Sequence, residues 1–148
     1  MQVGVVSDTH GLLRPQVIDA FNGVDMILHA GDIGDPEVLE SLMAVAPVFA
    51  VRGNNDREEW AKEIPETRIV SIGDIRVYMI HDVKELGRSP SRCQAVVAGH
   101  SHRPSIEKRE GILFLNPGSA GPRRFKLPIC VARLTVRGAT ITARLIEL

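Results

Sequence analysis

The chain alternates short apolar runs with segments whose apolar residues recur at helical spacing. Residues 2–7 (QVGVVS) make a valine-rich run that reads as a buried strand. Residues 14–21 (RPQVIDAF) put Val17, Ile18 and Phe21 on one helical face, with Pro15 suited to a first turn. A second strand is predicted over 25–30 (DMILHA). After it, Asp35 can cap a helix with Pro36 at its first position, and Val38, Leu39, Leu42 and Met43 form the apolar stripe. A third strand follows over 48–51. Two strand–helix–strand units with nearly continuous apolar strands predict parallel pairing in the middle of a sheet covered on both faces.

The second half reads as strand pairs. Residues 68–72 and 75–80 join through Gly73-Asp74, 106–109 and 112–115 through Glu110-Gly111, and 129–136 and 140–146 through Arg137-Gly138. Another buried run covers 94–98. The expected architecture is an α/β sandwich with a parallel centre, antiparallel additions and helices outside, as a single domain over residues 1–148.

The informative polar residues stand directly after the apolar runs. VGVVS leads into Asp8-Thr9-His10, MILHA into Gly31-Asp32, and VFAVR into Gly53-Asn54-Asn55-Asp56. VYMI leads into His81-Asp82, and AVVA into Gly99-His100-Ser101-His102. Three of the five pass through a glycine, which lets the backbone turn sharply and come close to an ion or ligand. Ligands of open α/β sheets bind outside the carboxyl ends of the strands, so five such ends are expected at one rim of one sheet. Four of the five histidines lie there; His29, inside the second strand, reads as a core or supporting residue.

That rim holds Asp8, His10, Asp32, Asn54, His81, His100 and His102, too many groups for one tetrahedral zinc ion. They suit two ions sharing a bridging carboxylate. An oxygen and nitrogen set without thiolate points to manganese, iron, zinc or cobalt rather than a calcium or magnesium cage.

Composition narrows the classes. The 148 residues are 44% hydrophobic, and Lys+Arg and Asp+Glu balance at 18 each. The chain as a whole therefore exerts no pull on nucleic acid or membranes, and long nucleic acid is not expected as the main partner. No apolar run approaches the length of a membrane-spanning helix, and the first residues lack a signal-peptide pattern. Cys93 and Cys130 sit beside or within apolar runs and read as reduced core thiols, so the expected address is cytoplasmic.

In order and position, Asp8-Thr9-His10, Gly31-Asp32-Ile33-Gly34-Asp35, Gly53-Asn54-Asn55-Asp56, His81 and Gly99-His100-Ser101-His102 resemble the motifs of calcineurin-like metallophosphoesterases. Ile64-Pro65-Glu66 and Asn116-Pro117-Gly118-Ser119 make the chain similar to the small YfcE-type phosphodiesterase branch, which also contains the retromer scaffold subunit. The resemblance implies a four-layer α/β/β/α sandwich with mixed sheets. It also implies phosphoester hydrolysis, most often of diesters, by a hydroxide bridging two divalent ions. Asp8, His10, Asp32 and His102 would hold the first ion, and Asp32, Asn54, His81 and His100 the second. Asp32, Asn54 and His100 would be the catalytic core of that set. Manganese is the expected ion, with zinc, iron, nickel or magnesium as alternatives. The substrate would be a small phosphoester, and assembly into a homo-oligomer is compatible with the branch. The alternative within the same fold is a non-catalytic interaction module.

Departures from the family pattern carry expectations too. Larger relatives have a histidine at the position of Asn55, which would not donate a proton usefully near neutral pH. Asp56 reads as a structural contact, with substitution for that proton donor as the alternative, and Asp35 as a residue orienting a histidine or a turn, a helix cap, or both. Asp82 replaces a glycine usual in relatives and puts a carboxylate beside His81. Arg123 and Arg124, after the Asn-Pro-Gly-Ser turn, are candidates to bind a substrate phosphate.

Overall fold

Strand β1, Gln2–Val6, owes its place to alternating burial on two faces. In the computed structural model, which describes residues 1–88, 90 and 92–148, Val3 and Val5 face one core while Val6 faces another. Gly4 lies against the Phe21 ring, where a Cβ would sit 2.8 Å from it. Helix α1 (Pro15–Ala20) and helix α2 (Pro36–Met43) both begin on proline, as the sequence predicts, and Asp35 caps α2. Parallel strands β2 (Met26–His29) and β3 (Val48–Ala50) follow the β1 direction.

The remaining strands are β4 (Thr67–Ile72), β5 (Ile75–Ile80), β6 (Ala95–Val97), β7 (Ser105–Arg109), β8 (Ile112–Asn116), β9 (Cys130–Arg137) and β10 (Thr140–Glu147). The first sheet runs β10-β9-β1-β2-β3, the second β4-β5-β6-β8-β7. Both are mixed. In the first, parallel β1, β2 and β3 run to one edge and the antiparallel β9–β10 hairpin forms the other. In the second, parallel β5, β6 and β8 lie between the antiparallel edge strands β4 and β7. The three predicted hairpins are β4–β5, β7–β8 and β9–β10.

The sheets pack face to face over Val3, Val5, Leu28, Val77, Met79, Val97, Leu115 and Leu134. Val17, Phe21, Val38 and Leu42 of the helices cover the outer face of the first sheet. On the outer face of the second sheet, the 3-10 turn Val83–Glu85 and Leu86 pack on Ile80, Val96 and Phe114. The fold is thus the α/β sandwich of two mixed sheets expected from the sequence.

One expectation is corrected. The five polar strand ends belong to two sheets, not one: β1, β2 and β3 supply three, and β5 and β6 of the other sheet supply two. Parallel strands at both sheet centres point their carboxyl ends the same way, so the two sets meet at a shared rim. Two packed sheets can surround a site from both sides, which a single open sheet cannot.

Candidate metal centre

The loops after β1, β2, β5 and β6 bring two ligand groups together, Asp8 with His10 and His102, and Asp32 with His81 and His100. Asp8 Oδ1 lies 3.3 Å from His102 Nε2 and 3.8 Å from both His10 Nε2 and His81 Nε2. Asp32 Oδ2 lies 3.3 Å from His81 Nε2 and 3.8 Å from His10 Nε2. The His10 and His102 rings are 5.4 Å apart, and the His81 and His100 rings meet edge to face at 5.2 Å. Asn54 is exposed and lines the cavity beside His81 and His100.

The backbone is bent to make this arrangement. Asp8, His10, Asp32, His100 and His102 have φ between 47° and 69°, in the left-handed region that side chains rarely adopt. Of the eight described non-glycine residues with positive φ, these five sit at one rim, so the strain is local to the site. Each costs about 1–3 kcal/mol, which the packed sheets beneath must offset. The glycines preceding three of the strand-end residues serve close approach. A Cβ at Gly53 would overlap the Asp32 carboxylate, and one at Gly99 would overlap Ser7 Oγ and stand 2.6 Å from Asp8 Oδ2.

Neighbouring groups orient the carboxylates. Ser7 Oγ donates to Asp8 Oδ2 (2.6 Å) and the His100 N–H donates to the same oxygen (3.0 Å), leaving Oδ1 free. The Asn55 N–H and Nδ2 donate to Asp32 Oδ1 and Oδ2 at 3.0 and 3.1 Å. Asn55 is thereby committed to Asp32. Asp56 is 4% exposed and accepts from the Ile33, Gly34 and Gly53 N–H groups at 3.1, 3.1 and 2.9 Å. It ties the Asp32 loop to the Asn54 loop, the structural role expected of it.

Histidine roles separate by their hydrogen bonds. His81 Nδ1 donates to the Ala30 carbonyl (2.7 Å), so its Nε2 faces the two carboxylates. His29 is fully buried: Nδ1 accepts from the Gly31 N–H (3.1 Å), so Nε2 carries the proton and donates to Thr9 Oγ1 (3.0 Å). Thr9 in turn donates to the Ile33 carbonyl (2.8 Å). His29 is thus a supporting residue that links the first two loops.

Electrostatics follow from burial and pairing. Burial pushes the His81 imidazole down, but Asp32, the Asp8 charge and the Ala30 carbonyl outweigh it and raise it to about 9. Burial would raise the Asp32 carboxyl, yet His81, the Asn55 N–H and His10 bring it down to about 2. Asp8 is likewise lowered, burial being overcome by His102, Ser7 and His81. His29 is depressed to about 4, chiefly by burial, against the opposing pull of Asp56 and Asp8.

The donor set fits a cation on a specific observation. Asp8 Oδ1, His10 Nε2, His81 Nε2 and His102 Nδ1 are buried side-chain atoms without a hydrogen-bond partner, and they crowd one rim. Buried polar atoms are seldom left so, and a divalent ion satisfies oxygen and nitrogen lone pairs together.

Of the two roles expected of Asp35 the structure shows the helix cap: its carboxylate accepts from the Glu37 N–H (2.8 Å) and caps α2, and its side chain makes no hydrogen bond to a histidine. Asp82 Oδ1 accepts from the Lys84 N–H (3.1 Å), capping the 3-10 turn, while Oδ2 lies 3.7 Å from His100 Nε2. Arg123 and Arg124 are exposed and outside the lining of the cavity at the centre; Arg123 Nε donates to the Leu127 carbonyl within its own loop (3.3 Å).

Sequence reasoning passed over Ser7 and left the Asn-Pro-Gly-Ser turn without a role. Asn116 Nδ2 donates to the Gly99 carbonyl (3.0 Å) and to Ser101 Oγ (3.1 Å), and Ser119 Oγ donates to the Asp8 carbonyl (3.0 Å). A small hydroxyl residue directly before a strand-end aspartate was the available signal for Ser7. The cavity beside His81 and His100 is about 500 Å³, and its Arg52, Thr67, Tyr78 and Glu85 walls were equally missed.

A sandwich whose strand ends collect carboxylates and imidazoles at one rim defines a metallohydrolase class. Residues 1–139 match the calcineurin-like phosphoesterase superfamily domain, and the chain belongs to that superfamily of phosphoester hydrolases. It is 36% identical to a probable metallophosphoesterase of Methanothermobacter thermautotrophicus, over 99% of this chain and 92% of that one. It is similar in structure to an archaeal phosphodiesterase, with a TM-score of 0.81 and 25% identity over 99% of this chain and 100% of the other. The vacuolar protein sorting 29 protein of Cryptosporidium parvum shares the fold, with a TM-score of 0.84 and 20% identity over 99% and 91% of the two chains. Among the described residues, no helix is long and apolar enough to cross a membrane.

Proposed function

We propose that the protein is a phosphodiesterase working with two divalent cations, manganese foremost. The observation that carries this reading is the pair of adjoining ligand groups with their unpartnered buried atoms. Asp8, His10, His102 and a shared Asp32 would hold one cation, and Asp32, Asn54, His81 and His100 the other. Bound there, the cations supply an activated water at neutral pH and neutralise phosphoryl oxygens as charge shifts in an in-line displacement.

The chain's own residues do the rest. Ser7 and the His100 N–H hold one Asp8 oxygen so that the other faces the centre. The Ala30 carbonyl fixes the His81 ring with Nε2 inward. Asn54 contributes an uncharged oxygen, which keeps the centre positive toward an anionic ester. Asn55 is bonded to Asp32 and has no acidic proton, so departing alkoxides receive little help. Esters with good leaving groups are therefore the better substrates.

The test is reconstitution with manganese, counting bound metal and following hydrolysis of bis(p-nitrophenyl) phosphate. Two equivalents and turnover are expected, with Asp32→Ala and His100→Ala each losing at least about a hundredfold. Parent-like activity in either variant refutes the reading; one equivalent of zinc favours a mononuclear hydrolase. The likeness to vacuolar protein sorting 29 supports a second reading, a non-catalytic interaction module. Absence of turnover with any metal, alongside a stable protein partner, favours that one.

A further inference from the structure

The cavity of about 500 Å³ opens directly off the second ligand group, and His81 and His100 form part of its wall. His81 is 5% exposed, and its Nε2 has no hydrogen-bond partner. The other walls come from three separate segments: Arg52 after β3, Glu66 and Thr67 at the start of β4, and Asp82 and Glu85 around the turn after β5. Half-buried Tyr78 of β5 adds an aromatic side chain.

The charge on these walls is lopsided. Arg52 Nη2 stands 3.2 Å from Glu66 Oε1, so the one arginine of the lining is already paired. Asp82 and Glu85 have no basic partner among the side chains lining the cavity, apart from the imidazole of His100 beside Asp82. A cation-holding centre draws a phosphate to the His81 and His100 wall, while Asp82, beside His100, and Glu85 repel any further negative charge brought into the same space. Tyr78 and Thr67 offer an aromatic surface and a hydroxyl to an organic group between them.

We infer that this cavity receives the organic arm of the phosphoester, and that it selects a cationic or uncharged hydroxylated arm over an anionic one. The inference rests on the phosphodiesterase reading and narrows its substrate class. Esters of amino alcohols and polyols fit the walls; esters whose arm carries a carboxylate or further phosphates do not.

Binding tests this without turnover. Three non-hydrolysable ligands of equal chain length are titrated calorimetrically into the full-length, manganese-loaded protein: 3-aminopropylphosphonate, 3-hydroxypropylphosphonate and 3-phosphonopropionate. The amine is expected to bind about tenfold tighter than the carboxylate, with the alcohol between, as suits charges several ångströms apart at a wetted surface. Glu85→Gln, at an exposed position, is expected to shrink that ratio to about threefold or less. Equal binding of the three, or a ratio unmoved in the Glu85→Gln variant, overturns the cavity assignment while leaving the phosphodiesterase reading intact. Failure of all three to bind, with no manganese retained, overturns both.

Discussion

Removing the Asp56 carboxylate separates support of the site from the chemistry performed there. Asp56 takes no place among the candidate ligands, yet its two oxygens accept three backbone N–H groups from the loops that carry Asp32 and Asn54. Oδ2 accepts from Ile33 and Gly53, and Oδ1 from Gly34. In Asp56→Asn the amide oxygen can keep the Oδ2 pair, while its NH₂ then faces the Gly34 N–H. One bond is lost and two donors oppose each other, a cost of about 2 kcal/mol. In Asp56→Ala all three N–H groups lose a charged partner at a site that is nearly closed to water. The expected cost rises to about 4 kcal/mol, a large fraction of the 5–15 kcal/mol typical of a domain. Urea denaturation of the metal-free protein measures both, with an unchanged m value marking a loss of stability alone. Manganese affinity is expected to fall about 10–100-fold in Asp56→Asn, because the two loops lose their common tether. Asp35→Ala is the comparison: it removes one cap bond, costs about 1 kcal/mol and leaves metal affinity alone. A cost below about 1 kcal/mol for Asp56→Ala, or parent-like manganese affinity in Asp56→Asn, refutes the tether.

Protonation gives two further outcomes. His29 is depressed from 6.5 to about 4, so the unfolded chain binds its proton first as pH falls. Its contribution is whole above pH 6.5 and declines toward pH 4 by about 3 kcal/mol; metal-free parent should lose that much more stability across the window than His29→Gln, and parallel curves would exclude it. His81 is raised to about 9 in the metal-free protein, so its stabilisation is present below pH 6.5 and lost as pH rises through 9. A cation must displace that proton, and manganese affinity measured against a competing chelator should rise up to about tenfold per pH unit between 7 and 9, then level off. An affinity flat with pH in that range contradicts the ligand assignment of His81. Gly99→Ala should cost about 1–3 kcal/mol and weaken metal binding, since its methyl would collide with the Ser7 hydroxyl that holds Asp8. A folded variant with parent stability and metal content would show that the close approach there is dispensable.

Much of this centre was readable along the chain, because the physics of a parallel strand end is local. A strand buried on both faces must be apolar, so the first polar residues past it announce where the backbone leaves the sheet. Asp8, Asp32, His81, His100 and His102 all stand just past such runs, and their type advertises metal chemistry without any knowledge of packing. Helix starts at Pro15 and Pro36 were legible for the same reason, since proline and a capping aspartate act within one turn.

Tertiary structure decided what depends on distance. Alternating patterns do not say which strands share a sheet, and only the packing of β1–β3 against β5 and β6 brings the strand ends round one centre from two sides. Asp35 and Asp56 look alike in the sequence, each close after a candidate ligand; α2 takes the first as a cap, and three convergent N–H groups take the second. The cavity walls Arg52, Glu66, Tyr78 and Glu85 come from separated segments with no shared spacing, so their common charge field exists only once the chain has folded. Apolar burial is written residue by residue, whereas electrostatic fields and shared protons are properties of groups brought together through space.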